Sequence, residues 1–319
     1  MKAIIRETYC NFSNIQIKEL PKPKPKSNEI LVKIHASTIN RTDCAVVNGK
    51  PFIFRFFVGF PKPKKIVLGT DFSGEIIEVG NKITKFKVGD KVFGFYDQGI
   101  GSQAEFATFT EEQPIEIMPS NISYEQATAS LEGGHYALNF LNKVEVNATH
   151  KVLLNGATGG IGSVLLQFLK HYGCYVTAVC NTKNIDLIQS LGADKIYDYE
   201  QEDFTTDTER YDFIFDAVGK STFKKCKPLL KEKGVYISSE LGEGIENLYL
   251  PLTTKFSNKK VIFPMPTDIH GSVRTIKDLL EKEALKPVID RVISVDEAIE
   301  NYKYVNSGQK TGSVVIRFK

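Results

Sequence analysis

At 319 residues the chain is longer than one hydrophobic core usually organises, so two domains are the default expectation. The formal net charge is only +3, from 41 basic and 38 acidic side chains scattered along the chain, which argues against a nucleic-acid partner. The opening MKAIIRETYC has one early lysine and no long apolar run, and no later stretch is long enough to span a membrane, so neither a secretory leader nor a membrane partner is expected. Cys10, Cys44, Cys174, Cys180 and Cys226 are odd in number and form no C-x-x-C pair. That pattern argues against a disulfide framework and a zinc knuckle, and fits a reducing cytoplasm with no metal site.

Residues 1 to about 118 read as β-rich. Ala3–Glu7, Ile15–Glu19, Glu29–Ser37, Asp71–Val79 and Lys91–Phe95 are short β-branched or alternating runs separated by turn clusters such as Val88-Gly89-Asp90. The alternation PKPKPK at 21–26 predicts extended, polyproline-like backbone between two strands, and it and PKPKK at 61–65 read as solvated loops. Between these tracts, Pro51–Phe60 holds five phenylalanines in ten residues. Such density predicts burial against the domain core, a partner subunit or the rim of an apolar substrate pocket.

From about Ser120 helix and strand alternate, which predicts an α/β domain with a mostly parallel sheet. Lys151–Asn155 is a short apolar run, and helical spacing begins after it at Ile161, Val164, Leu165, Phe168 and Leu169. The turn between them contains Gly156, Ala157, Thr158, Gly159, Gly160, Ile161 and Gly162. A strand feeding a helix through such a turn offers free N–H groups and the positive end of a helix dipole to a pyrophosphate. Ala157 stands where the usual G-x-G-x-x-G has its first glycine.

The next strand, Tyr175–Cys180, ends in Asn181, Thr182 and Lys183, with no acid where one would bind the adenine ribose of NAD. Donors and a positive charge there favour the 2′-phosphate of NADPH, against the plainer reading of Lys183 as a solvated surface lysine. Strands follow at Lys195–Tyr199, Tyr211–Val218, Gly234–Ser238 and Val261–Phe263, with a helix at 184–191. The loops after two of them, Asp216-Ala217-Val218-Gly219 and Ser238–Leu241, are expected to line the cofactor groove. Helices at Ser272–Lys282 and Asp296–Ser307 precede a last strand, Gly312–Phe318, expected to rejoin the first domain.

Several stretches together carry a resemblance. They are EILVKI at 29–34 with INRTD at 39–43, LGTDFSG at 68–74, VGDKV at 88–92, the Gly156–Gly162 turn, LGAD at 191–194, KPVID at 286–290 and Gly308–Ile316. In this order the chain resembles the zinc-independent medium-chain dehydrogenase/reductases, and most of all the NADPH:quinone oxidoreductases of the zeta-crystallin-like kind. The resemblance implies a GroES-like catalytic domain from residues 1–120 and 264–319. It implies a Rossmann NADP(H)-binding domain, a doubly wound parallel sheet, from residues 121–263. It also implies that Ala157 to Gly162 hold the pyrophosphate, that Asn181, Thr182, Lys183 and Tyr199 face the 2′-phosphate, that Gly312 and Ser313 lie near the nicotinamide, and that the protein is a homodimer.

Two departures stand out. The loop Pro51-Phe52-Ile53-Phe54 lacks the proton-donating tyrosine of the superfamily's enoyl-thioester reductases, and LEGGHYAL at 131–138 places His135 where many quinone reductases are apolar. His135 is read either as capping a helix start or as orienting a substrate carbonyl. The resemblance places Asn40 at the cleft, where its neutral amide could donate to a carbonyl oxygen; Tyr96 and Asp43 are further candidates. The expected reaction is NADPH-dependent reduction of a small hydrophobic quinone or α,β-unsaturated carbonyl without a metal. The alternatives are a zinc-free alcohol dehydrogenase or carbonyl reductase, and an NADPH-binding regulator without turnover.

Overall fold

The structure is a computed structural model describing every residue except Cys10, Ile53 and Phe54, and the side chain of Glu243. What the sequence suggests for Ile53 and Phe54 in the phenylalanine loop, and for Cys10, therefore lies outside the described residues. Two compact units result, one from Met1–Glu132 with Asp268–Lys319 and one from Gly133–Thr267.

The first unit contains β1 (Lys2–Ile5), β2 (Gln16–Glu19), β3 (Glu29–Ile39), β4 (Asp71–Val79), β5 (Lys91–Phe95), β6 (Phe106–Thr110) and β7 (Ile115–Ile117). The second contains β8 (Lys151–Asn155), β9 (Tyr175–Cys180), β10 (Lys195–Asp198), β11 (Tyr211–Asp216), β12 (Leu230–Ser238) and β13 (Lys260–Ile262). The chain then returns to the first unit for β14 (Ile289–Ser294) and β15 (Ser313–Arg317).

In the first unit β1 and β2 form an antiparallel pair, and a larger sheet runs β14-β15-β3-β4-β5-β7 with β6 also on β3. The long strand β3 makes this possible: its first half pairs with β6, its last residues pair with β15, and β4 runs along its other edge. The tail thus completes the sheet, with Val314 opposite Ile39 and Ile316 opposite Ser37. Ile30, Val32, Ile34, Phe72, Phe109 and Ile316 fill the core, where the Phe72 and Phe109 rings stack 4.2 Å apart. No helix among the described residues is long and apolar enough to cross a membrane.

The second unit is one six-stranded sheet in the order β10-β9-β8-β11-β12-β13, every pair parallel. Counted within the unit this is third, second, first, fourth, fifth, sixth, the doubly wound order whose ligands lie where the winding reverses, between β8 and β11. The fold class expected from the sequence is therefore the one observed. The helix Gly160–His171 covers β8 with Val164, Leu165, Phe168 and Leu169, all buried.

Its close approach depends on Gly162, where an added Cβ would lie 2.1 Å from the Gly156 carbonyl oxygen and 2.9 Å from the Ala157 Cα. Those are backbone atoms, which cannot rotate away. Gly162→Ala is expected to destabilise the protein by about 1–3 kcal/mol, the usual range for overpacking. Urea unfolding without cofactor measures it, and a variant as stable as the wild type would refute the packing argument.

Candidate active site

Parallel register decides what the second unit can bind. Asn155 lies opposite Val179 and Asp216, Asp216 opposite Ser238, and Cys180 opposite Asp198, so five neighbouring strands end in line. Their following loops emerge at one carboxyl edge. This brings together Ala157, Thr158, Gly159, Gly160, Ile161 and Gly162 after β8, Asn181, Thr182 and Lys183 after β9, Tyr199 after β10, Ala217, Val218 and Gly219 after β11, and Leu241 shortly after β12.

Within the turn the work is divided among the glycines. Gly156 takes the left-handed conformation, φ +81°, so the tight turn falls one residue before Ala157, which is buried. Gly159 is the N-cap of the helix and makes no side-chain cap bond. The N–H groups of Gly160, Ile161 and Gly162 precede the helix's own bonding ladder, so an anion can take them. An added Cβ on Gly159 would meet only the Gly156 oxygen, at 3.8 Å, so that side of the turn is open. An uncapped twelve-residue helix aimed at an open glycine turn fits a dinucleotide pyrophosphate.

Asp216 holds the neighbouring turn. Its Oδ1 accepts from Val218 N–H at 3.2 Å, Gly219 N–H at 2.8 Å and Asn155 Nδ2 at 3.0 Å, and its Oδ2 accepts from Ser221 N–H at 3.0 Å and the Tyr236 hydroxyl at 3.1 Å. Burial raises its pKa, opposed by these N–H donors.

The end of β9 is less free of acid than its sequence suggests. The Thr182 hydroxyl donates to Asp198 Oδ2 at 2.6 Å and its N–H to Glu200 Oε2 at 3.1 Å, both carboxylates arriving from the end of β10. The Asn181 side-chain oxygen accepts from Asn184 Nδ2 at 2.5 Å. Lys183 is exposed and enters no ion pair among the described residues. Local reading of β9 could not find Asp198 and Glu200, because strand pairing rather than sequence proximity delivers them.

In the first unit Asn40 is the N-cap of the helix Arg41–Asn48, in a reciprocal capping box with Asp43. Its Oδ1 accepts from Asp43 N–H at 2.8 Å, while its Nδ2 donates to Thr70 Oγ1 at 2.9 Å and Thr38 Oγ1 at 3.3 Å. Both its amide N–H donors are spent inside the protein, and it is buried. Asn40 therefore braces Thr70 and the helix start. Thr38 in turn donates its N–H to Asp71 Oδ1 at 2.7 Å and its hydroxyl to Asp71 Oδ2 at 2.5 Å. Burial pushes the Asp71 carboxyl up to about 7 against these bonds. Asp43 is also raised, by burial first and then by the charge of Asp71.

A cavity of about 140 Å³ opens in the same unit, lined in part by Val46, Phe57, Val58, Lys64, Lys65 and Tyr96. Tyr96 is half-buried there, with its N–H donated to the Thr70 carbonyl at 2.7 Å, one residue's reach from the Asn40 network. Gln98 and Gly99 also line the cavity and carry no signal in the sequence that marks them. The phenylalanine loop contributes Phe57 and Val58 to the wall, while within the single chain its rings are not buried in the core. Phe52, Phe56, Phe57 and Phe60 are each more than half exposed.

His135 lies in the second half of the helix Tyr124–Leu141, not at a helix start, and is completely buried. Its Nε2 sits 3.1 Å from Asn139 Nδ2, and the Asn139 side-chain oxygen accepts from Thr267 N–H at 3.1 Å. Gly312 and Ser313 belong to the first unit, at the start of β15. Gly312 has φ +66°, and a Cβ there would lie 2.1 Å from the Val288 oxygen; the Ser313 hydroxyl donates to the Ala129 carbonyl at 3.3 Å.

Comparison with known proteins agrees with this architecture. Residues 26–119 match the family model of the alcohol dehydrogenase GroES-like domain, and residues 191–316 match that of the zinc-binding dehydrogenases. The chain is 28% identical over 311 residues to the chloroplast envelope quinone oxidoreductase homolog of Arabidopsis thaliana, covering 93% of this chain and 92% of that protein. It is 26% identical over 323 residues to the same plant's chloroplastic NADPH-dependent alkenal/one oxidoreductase, covering 97% of this chain and 78% of the relative. The solved quinone oxidoreductase of Coxiella burnetii superimposes with a TM-score of 0.88 at 25% identity, over 100% of this chain and 99% of that one. On this sequence and fold evidence the chain belongs to the medium-chain dehydrogenase/reductase superfamily, among its quinone oxidoreductase-like members.

Proposed function

We propose that this chain is an NADPH-dependent, metal-free oxidoreductase that reduces a small hydrophobic quinone or α,β-unsaturated carbonyl. The observation that carries the reading is the cavity beside Tyr96, which has an apolar wall of Val46, Phe57, Val58 and Leu68 and a polar side with Lys64, Lys65 and Gln98. A flat hydrophobic acceptor suits such a wall. Relatives named as quinone and alkenal/one oxidoreductases support the same substrate class.

NADPH, when bound, supplies the hydride that such a reduction consumes. The residues that would hold it are Gly159 to Gly162 at the pyrophosphate, Ala217 to Gly219 and Leu241 along the groove, and Asn181, Thr182, Lys183 and Tyr199 at the adenosine end. The Tyr96 hydroxyl is the group we assign to stabilise the oxyanion that develops on a conjugated acceptor. Asn40 positions Thr70 and the backbone next to Tyr96, and His135 serves its own helix. In zinc-dependent members of the superfamily a cysteine and a histidine stand at the positions of Asn40 and Thr70. Here an amide and a hydroxyl bind each other, and neither is a good zinc ligand.

Homodimer formation is part of the same proposal. The edge strand β13 is flanked by Leu248, Tyr249, Leu252 and Phe256, the last 94% exposed. Light scattering is expected to give twice the chain mass for the wild type and a monomer for Leu252→Glu/Phe256→Glu; a monomeric wild type would refute the pairing.

Cofactor titration tests the adenosine end. NADPH is expected to bind more tightly than NADH, and Lys183→Ala to lose about tenfold in NADPH affinity, the scale of one charge-assisted contact. Because the Glu200 carboxylate sits at the Thr182 N–H and would repel a 2′-phosphate there, removing its charge in Glu200→Gln is expected to strengthen NADPH binding and leave NADH little changed. Equal affinities for both cofactors in the wild type would contradict the assignment.

Turnover tests the rest. NADPH oxidation is expected with quinones and enones, unaffected by a chelator, and Tyr96→Phe should lower kcat on the order of 10²-fold, the scale of one lost oxyanion donor. Turnover of simple alcohols or ketones with quinones and enones inert would favour the alcohol dehydrogenase reading instead.

A further inference from the structure

The segment from Cys44 to Thr70 contains no aspartate or glutamate, while Lys50, Arg55, Lys62, Lys64 and Lys65 carry five positive charges. Five of the 41 basic and none of the 38 acidic side chains fall in it, which leaves the remainder of the chain at −2. The same segment bears the largest group of exposed aromatic rings in the first unit. Phe56 and Phe60 stack with centroids 5.4 Å apart and Phe52 meets both edge-on at 5.9 Å, yet the three are 60%, 56% and 56% exposed.

This knob is built rather than loose. Arg55 lies over the rings of both Tyr9, at 4.5 Å, and Phe52, at 5.4 Å, and donates from Nε to the Gly49 carbonyl at 3.1 Å. The Tyr9 hydroxyl donates to the Gly59 carbonyl, and Lys64 Nζ to that of Phe57 at 3.5 Å. Lys50, Lys62 and Lys64 are exposed around the rings.

We propose that this face docks on an anionic lipid bilayer, with Phe52, Phe56 and Phe60 entering the interfacial region and the lysines meeting lipid phosphates. Neither feature suffices alone. Exposed rings without charge would suit any apolar partner, and lysines without rings would suit any anion. Aromatic wedges on an acid-free basic segment are the combination that holds a peripheral protein on anionic lipid. A second copy of the chain fits poorly, because two such faces would bring five positive charges against five. The sequence led us to expect no membrane partner, since it lacks a span; surface docking needs none.

The chain has no tryptophan, so Phe56→Trp supplies a single reporter at the knob. Its emission is expected to shift to the blue on adding vesicles of two parts phosphatidylcholine to one part phosphatidylserine, and to stay unchanged with phosphatidylcholine alone. In co-sedimentation with the mixed vesicles, wild type is expected to pellet. Phe56→Ser/Phe60→Ser and Lys62→Glu/Lys64→Glu should each lose at least tenfold in partitioning, with thermal melts unchanged because all four side chains are exposed. Raised salt should release the wild type. No pelleting of the wild type, pelleting equal to that of the variants, or light scattering showing a dimer that Phe56→Ser/Phe60→Ser converts to monomer would each overturn the proposal.

Discussion

One buried carboxylate keeps the carboxyl edge of the parallel sheet in order. Asp216 receives hydrogen bonds from β8 through Asn155, from β12 through Tyr236, and from three successive stretches of its own following turn. Burial makes its charge costly, and that many donors are what such a site needs to tolerate it. The return is geometric. With β8, β11 and β12 fixed in one register, the glycine turn and the Val218-Gly219 turn face the same edge, and the Gly156 backbone can pass within van der Waals reach of Val218. Replacing the Asp216 carboxylate would leave several N–H groups without acceptors at once, so its loss would reach the cofactor edge without touching any cofactor.

Much of this was legible in the sequence because it is local. The apolar run Lys151–Asn155 and the helical spacing from Ile161 onward each state their own conformation, and the observed elements follow them closely. Strands β9 and β11 are equally self-declaring, being rich in branched and aromatic residues. The short strands β6 and β7 escaped notice because three to five residues carry too little pattern to separate them from loop. The segment 289–294 was similarly obscured by its exposed, charged alternation on a sheet edge.

What sequence could not give was the direction of a side chain. Asn40 has the chemistry of a substrate donor, but the helix start beside it, the Thr38 hydroxyl of the strand before it and the Thr70 hydroxyl take its amide first. His135 has the chemistry of an acid or base, but its position inside a buried helix commits its ring to Asn139. The phenylalanine loop shows the reverse: its composition asks for packing, and within the single chain Phe52, Phe56 and Phe60 find it only on one another at the surface. In each case the folded backbone decides which neighbour a side chain meets, even where, as with Asn139 four residues after His135, that neighbour is close along the chain.

The same distinction separates the two parts of the nucleotide edge. The pyrophosphate end is made of backbone N–H groups at a helix start whose position is fixed by Gly156 and Gly162 packing on backbone, so little freedom is lost when an anion arrives. The adenosine end is made of exposed side chains, with Glu200 already bonded to the Thr182 N–H and Lys183 free to move in solvent. One N–H cannot serve a carboxylate and a phosphate together. Exposed charges are also screened by salt, whereas the buried backbone geometry is not. In the site we propose, the class of cofactor is thus set by rigid structure, while the choice between phosphorylated and unphosphorylated forms rests on a balance of surface charges that ionic strength and single substitutions can shift.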